Sequence, residues 1–120
     1  PSINAIFYLR NAQKLARNFQ ERFDILLSPV LAKATPKLGY LSPAVPFDDL
    51  LSRLQEYVGY TPVANALGNT AISLPMGQTI HGDPIGIQLS APIGEERSLL
   101  ELAFELEASK PWPLLSKASK

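Results

Sequence analysis

Few side chains in this chain of 120 residues could carry catalytic chemistry. Its single histidine, His81, is followed by Gly82 and Asp83 in a segment with the composition of a surface turn. A hydrolase with a Ser-His-Asp triad needs an imidazole base that a carboxylate orients beside the nucleophile. We therefore interpret His81 as a turn residue, and a self-contained hydrolase that uses His81 is kept as an alternative.

The side chains of several other chemistries are missing or poorly placed. The chain has no cysteine, which excludes a thiolate nucleophile, disulfides and a cysteine-based metal site. One histidine and scattered carboxylates do not supply the converging ligands of a metal site, so we predict no metal and no cofactor. Acidic neighbours such as Glu95 and Glu96 are typical of a helix N-terminus, where negative charge is favourable. Gly77, Gly82 and Gly86 lack the spacing and the strand-to-helix context of a phosphate-binding loop.

Charge and hydropathy exclude two classes of partner. The 11 basic and 11 acidic residues cancel, whereas a nucleic-acid-binding surface needs a basic excess. No apolar run approaches the roughly 18 residues of a membrane span, and no signal peptide is visible. We predict no nucleic acid, no membrane and a cytoplasmic location.

Only 18% of the residues are charged, below the roughly 25% of soluble domains, so we expect apolar surface that a partner covers. Because the chain starts with Pro1 rather than Met, we also expect further sequence upstream.

The apolar pattern predicts an α/β fold, with a mixed sheet of about three short strands packed by helices. The continuous apolar run 25–27 is typical of a strand buried on both faces, as in a parallel sheet. Four prolines mark an irregular stretch before the second helix. We predict helices over 4–22, 48–58 and 95–108, a short helix over 62–67, strands over 24–28, 71–75 and 84–90, and a proline-rich loop over 29–46.

The segment 61–89 contains the most informative polar residues. Thr61 is suited to cap the short helix, and Gly68 to end it. Gly86 lies in the last predicted strand, where it permits a close backbone approach. Ser73 and Asn65 have two open roles, since each could bond a neighbouring backbone group or line a pocket.

Five segments occur in the order and at the intervals of a known family. They are FDILLSPV at 23–30, TPVANALGNTAISLPMG at 61–77, GDPIGIQLSA at 82–91, GEERSLLELAFELE at 94–107 and PW at 111–112. Together they resemble the C-terminal part of amidase signature enzymes, and the resemblance covers nearly all of 1–120. The run 45–69 is similar to the subgroup that includes 6-aminohexanoate-cyclic-dimer hydrolases. The chain departs from the family at Thr70, where proline is usual, which puts the local turn in doubt.

The resemblance implies an amide hydrolase in which a serine attacks the amide carbon. A second serine and a lysine relay the proton, and backbone N–H groups stabilise the oxyanion. These elements belong to an upstream segment of the Gly-Gly-Ser-Ser-Gly-Gly type, and nothing in this chain matches it. No catalytic residue is therefore carried over. We expect this C-terminal segment to be inactive alone, with the missing N-terminal catalytic lobe as its partner and a linear or cyclic small-molecule amide as substrate.

The resemblance also implies what this portion contributes. The strands 71–75 and 84–90 would form sheet core, and the loop 31–46 and the segment 60–68 would form part of the substrate-pocket wall. The candidate pocket residues are Tyr60, Thr61, Asn65 and Gly68. An independent binding or regulatory module with an amidase-like C-terminal shape is the alternative. Unpaired strand edges would also allow pairing with a second copy of the chain.

Overall fold

The computed structural model describes residues 2–112, with side chains from residue 8 onward. Four helices and three strands follow one another along these residues. They are α1 (Ser2–Gln20), β1 (Leu26–Pro29), α2 (Phe47–Tyr57), α3 (Thr61–Leu67), β2 (Thr70–Gln78), β3 (Pro84–Ala91) and α4 (Glu96–Ser109).

The three strands form one sheet in the order β1-β3-β2, α4 packs against it, and α1 packs against α3. The predicted architecture of three short strands packed by helices is confirmed. Both pairings are antiparallel, so the mixed sheet expected from the sequence is not present within residues 2–112. An unbroken apolar run indicates a strand that needs cover on both faces, but it does not determine the direction of the neighbouring strand.

The second strand is longer than its sequence suggested. We predicted that β2 ends at Pro75, because proline cannot donate to a strand ladder. The strand continues to Gln78, and its register against β3 shifts between Leu74 and Gly77. Such a bulge places Pro75 where the ladder is already interrupted, so the missing N–H breaks no cross-strand bond.

The core lies between one face of the sheet and α4. It consists of Leu74, Leu89 and Ala91 from the strands and Leu99 and Ala103 from the helix. The alternation along β3 and the four-residue step along α4 bring these side chains to the same interface. Leu89 and Leu99 are the most deeply buried large residues, at 2% and 1% exposure.

Much apolar surface outside this core is uncovered. The chain exposes 9528 Å², whereas a compact monomer of 13.1 kDa exposes about 6,400 Å². Its radius of gyration is 17.3 Å, against about 14 Å for a compact domain of this length. The exposed large hydrophobic side chains include Tyr8, Leu15, Leu27, Leu38, Phe47, Ile80, Ile93 and Phe104. This extended shape agrees with the expectation, drawn from the low charge content, of surface that a partner covers.

Candidate functional site

The four candidate pocket residues lie on α3 or at its ends. Thr61 begins the helix, and its hydroxyl donates to the carbonyl of Val58 at 3.3 Å. Its predicted capping role is therefore wrong: Tyr60 is the N-cap, and no side chain caps the helix. The hydroxyl donates to the preceding turn and accepts from none of the N–H groups of α3. Gly68 ends the helix as predicted, in a left-handed conformation with φ 73° that favours glycine.

A narrow cleft separates α3 from the sheet. Tyr60, Val63 and Ala64 line one side, and the opposite side is formed by Leu26, Ser28, Asn69, Gln88 and Ser90. Its volume is about 80 Å³, well below the 300–1,000 Å³ of a typical ligand pocket. Among the four candidates, Tyr60 reaches this cleft, whereas Thr61, Asn65 and Gly68 do not line it. The four candidates therefore form at most one side of a small cleft.

Gln88 is the residue in this cleft that sequence reasoning missed. Its side chain is 7% exposed, and across the sheet it lies in register with Ser28 and Ser73. Among the described residues, no solvent-inaccessible side-chain nitrogen or oxygen is left without a hydrogen-bond partner, those of Gln88 included. The sequence does contain a signal for this residue. Gly86, Gln88 and Ser90 alternate with Ile87 and Leu89, and Gln88 is the one long polar side chain of those three.

The proline-rich loop is attached to α2. The N–H of Ala32 donates to the carbonyl of Tyr57 at 3.0 Å. Arg53 donates to the carbonyl of Tyr40 at 2.8 Å, and its guanidinium carbon lies 4.6 Å from the centroid of the Tyr40 ring. A planar guanidinium can lie flat on the ring while one of its in-plane N–H groups donates to the carbonyl, so one side chain makes both contacts. The loop 31–46, the other segment predicted to form the pocket wall, is therefore held in a defined position against α2.

An exposed ion pair between Lys33 and Glu56 adds to this attachment. Its hydrogen bond raises the pKa of Lys33 and lowers the pKa of Glu56. The stabilisation from a raised lysine pKa is present below the ordinary lysine value and is lost at higher pH. The stabilisation from a lowered glutamate pKa is present above the ordinary glutamate value and is lost in acid. The pair is thus intact at neutral pH, and because it is exposed, salt weakens it.

Replacement of Arg53 by alanine should release the part of the loop around Tyr40 from α2 without unfolding the chain. We expect trypsin to cleave after the exposed Lys37 several-fold faster, because the loop loses both its bond and its stacking contact at Tyr40. Arg53→Lys should be cleaved at an intermediate rate. Arg97→Ala is the matched control, since within the described part of the chain Arg97 pairs with Glu101 of the same helix, α4. Equal cleavage rates in the Arg53→Ala and Arg97→Ala variants would show that Arg53 does not hold the loop.

The turn that carries His81 is organised by Thr79. The hydroxyl of Thr79 accepts from the N–H groups of His81 and Asp83, at 3.2 and 3.1 Å. The same hydroxyl donates to the carboxylate of Asp83 at 3.2 Å. Because Asp83 is bonded to Thr79 rather than to the imidazole, this turn lacks the orienting pair that a triad needs.

Thr70, the residue at which the sequence departs from the family it resembles, joins β2 to α4. It is the first residue of β2, and its hydroxyl donates to the carboxylate of Glu96 at 3.0 Å. This bond joins the start of β2 to the first turn of α4, and Thr70 has no positive φ.

Residues 2–112 contain no group of three His, Asp or Glu side chains that could hold a metal ion together. No described helix is both long enough and apolar enough to cross a membrane.

Comparison with known proteins identifies the family. A family model for amidases matches residues 5–100. The protein named amidase AmiC from Mycobacterium tuberculosis is 46% identical over 108 residues, which are 90% of this chain and 23% of that protein. The 6-aminohexanoate-cyclic-dimer hydrolase of Paenarthrobacter ureafaciens is 35% identical over 107 residues, which are 84% of this chain and 22% of that protein.

A solved structure of 6-aminohexanoate cyclic dimer hydrolase in complex with substrate has a similar fold. It superposes with a TM-score of 0.74 at 36% identity, over 87% of this chain and 23% of that chain. The chain therefore spans less than a quarter of the length of the relatives that it matches. The resemblance seen in the sequence is confirmed: the chain belongs to the amidase family and corresponds to a C-terminal portion of the amidase signature fold.

Proposed function

We propose that this chain is the C-terminal part of a longer amide hydrolase and is inactive without the remainder. The proposal rests on two observations that agree: the chain is short relative to its relatives, and its exposed surface is large for its mass. The chain spans 23% of its amidase relatives, and it exposes about 3,000 Å² more than a compact monomer of its mass. A segment cut from a larger fold has this property, whereas an independent binding module would cover its own core.

The proposed reaction is hydrolysis of an amide by a nucleophilic serine in the remaining part of the protein. A second serine and a lysine would transfer the proton, and backbone N–H groups would stabilise the oxyanion. The described residues would support this chemistry rather than perform it. The sheet and α4 would provide rigid packing, and the segment 60–68 and the loop 31–46 would provide part of the pocket wall.

The proposed substrate is a small linear or cyclic amide. Support comes from the relatives named for hydrolysis of the 6-aminohexanoate cyclic dimer. Tyr60 is the candidate best placed to contact it, because its half-exposed side chain lines the cleft between α3 and the sheet. Selectivity among amides would depend on the shape of this wall.

The test compares the full-length parent protein with the 120-residue chain on a panel of short linear and cyclic amides. We expect hydrolysis by the parent and none by the chain alone. Hydrolysis by the chain alone, or no hydrolysis by the parent of any amide tested, would contradict the proposal.

The assignment of Tyr60 to the pocket wall is tested in the parent. Tyr60→Ala should raise KM about tenfold, since it removes a large contact surface from the wall, while Tyr60→Phe should change KM less because the ring remains. An unchanged kcat/KM in Tyr60→Ala would remove Tyr60 from the wall and leave the amide hydrolase proposal standing.

A further inference from the structure

We propose that a hollow between the loop 31–46 and α2, the α2 hollow, binds the free carboxylate of a linear amide substrate. The inference rests on the proposed function and narrows its substrate to linear amides that carry a carboxylate away from the reacting bond. The α2 hollow has a volume of about 270 Å³, just below the 300–1,000 Å³ of typical ligand pockets. It is distinct from the cleft between α3 and the sheet, since the two share no lining residue.

The floor of the α2 hollow is apolar. It is formed by small and ring-bearing side chains of the loop and of α2: Ala34, Pro36, Tyr40 and Tyr57. Rings and small apolar groups of this kind bind hydrocarbon by removing its surface from water. The floor therefore fits the apolar chain of a ligand better than it fits a bare inorganic ion.

Three cations stand around this floor, and within the described part of the chain no carboxylate lines it. They are Lys33 and Lys37 from the loop and Arg53 from α2. Long basic side chains lay their methylene stems along apolar surface and keep the charged group at its margin. A ligand whose chain lies on the floor thus meets positive charge at its end. This charge pattern is complementary to an apolar chain that ends in an anion.

Arg53 is held in position without a ligand. One N–H group of its guanidinium donates to the carbonyl of Tyr40 at 2.8 Å, and the guanidinium carbon lies 4.6 Å from the centroid of the Tyr40 ring. A guanidinium has five N–H donors in one plane, so donors remain for a ligand. Two parallel N–H groups match the two oxygens of a carboxylate. The fixed guanidinium therefore favours a carboxylate as the anion.

The two lysines differ in what they already bind. Lys33 forms an ion pair with Glu56, which offsets one of the three positive charges. Lys37 forms no ion pair with any residue that the structure describes. Covering the α2 hollow with protein would bury this ammonium group without a counterion, which costs free energy. An anionic ligand supplies the counterion, so it is a better occupant than a packed segment of the parent.

The α2 hollow and the cleft are close enough to contact one ligand. Tyr57 lines the hollow and Tyr60 lines the cleft. They are three residues apart in sequence, so their Cα atoms are separated by at most roughly 11 Å. A linear amide with several methylene groups extends over such a distance. With its reacting bond beyond the cleft, its far end reaches the α2 hollow.

Calorimetric titration of the full-length parent tests the hollow without catalysis. We expect hexanoate to bind with a Kd on the order of 1 mM. Hexanamide has the same chain and no charge, and should bind at least about tenfold more weakly. Inorganic phosphate should also bind at least about tenfold more weakly, because it makes no use of the apolar floor. Affinity for either probe equal to that for hexanoate, or no binding of hexanoate, would overturn the inference.

Matched lysine variants locate the bound hexanoate. Lys37→Gln removes the ammonium group and should raise the Kd of hexanoate about fivefold. Lys37→Arg keeps the charge and should stay within about twofold of the wild type. Lys14→Gln is the control, since Lys14 is an exposed lysine of α1 that does not line the hollow. Equal Kd values in Lys37→Gln and Lys14→Gln would overturn the inference, because hexanoate would then bind elsewhere.

Kinetics of the parent test whether the carboxylate belongs to a substrate. We expect kcat/KM to be at least about tenfold higher for a linear amide that ends in a carboxylate than for the neutral amide of the same length, and Lys37→Gln to reduce this ratio about fivefold. A ratio near one, or a ratio that Lys37→Gln leaves unchanged, would overturn the inference while amide hydrolysis still stands. If the parent hydrolyses no amide, the proposed function fails instead, and the hexanoate titration still reports whether the α2 hollow binds a carboxylate.

Discussion

Leu99→Ala should lower the free energy of unfolding of the parent protein by about 2–5 kcal/mol. Leu99 is 1% exposed and packs among Leu74, Leu89 and Ala103 in the core between α4 and the sheet. Truncation removes most of its apolar surface and leaves a cavity that strands held in a ladder cannot fill. This core is small, so one large side chain forms much of it. Urea denaturation monitored by circular dichroism gives the difference.

The matched control for this prediction is Leu99→Met. Methionine has nearly the volume of leucine and adapts to irregular space, so we expect a loss below about 1.5 kcal/mol. If Leu99→Ala is no more destabilising than Leu99→Met, the side chain does not fill the core as the structure shows. The comparison isolates the cavity from other effects of changing this residue.

Gly86→Ala should destabilise the parent by about 1–3 kcal/mol through overpacking. A Cβ at residue 86 would lie 2.9 Å from Cγ2 of Val30 and 3.4 Å from the hydroxyl of Ser73. Valine is stiff about χ1, so its methyl group cannot move aside without shifting the backbone that follows β1. The close approach of the chain at Val30, which the sequence predicted at Gly86, is the physical reason for this glycine.

A double-mutant cycle tests the cause of that loss. Val30→Ala removes the methyl group that the new Cβ would meet. The double variant with Val30→Ala and Gly86→Ala should therefore be more stable than the sum of the two single losses implies. Additive losses would show that the effect of Gly86→Ala does not come from contact with Val30.

The regular elements were the most predictable part of the fold. The helical period of Leu99 and Ala103 and the alternation of Ile87 and Leu89 each describe a single element packed on a single face, so local sequence was sufficient. The direction of β1 relative to its neighbour was not predictable. An apolar run indicates that both faces of a strand are buried, but it is compatible with parallel and with antiparallel pairing. Local sequence predicts a strand end at Pro75, since the bulge that accommodates this proline depends on pairing with β3.

The candidate site was less predictable than the fold. Gly68 was identified as the end of α3 because few residues adopt a left-handed conformation easily. The hydroxyl of Thr61 bonds to Val58 instead of capping α3, a choice between two neighbouring partners that propensity does not decide. Gln88 meets α3 only in the folded structure, across more than twenty residues of sequence, so local patterns do not single it out. The roles of Tyr60 and Asn65 in a pocket wall stay predictions.

The central claim is that this segment functions only within a longer amidase, and the intact mass of the native protein tests it most directly. An antibody raised against the segment would detect the protein in extracts of its source cells. The 108 residues aligned with the mycobacterial relative are 23% of it, which gives about 470 residues or, at this chain's mean residue mass, about 51 kDa. The account predicts a band near that mass, whereas a single band near 13.1 kDa would contradict it.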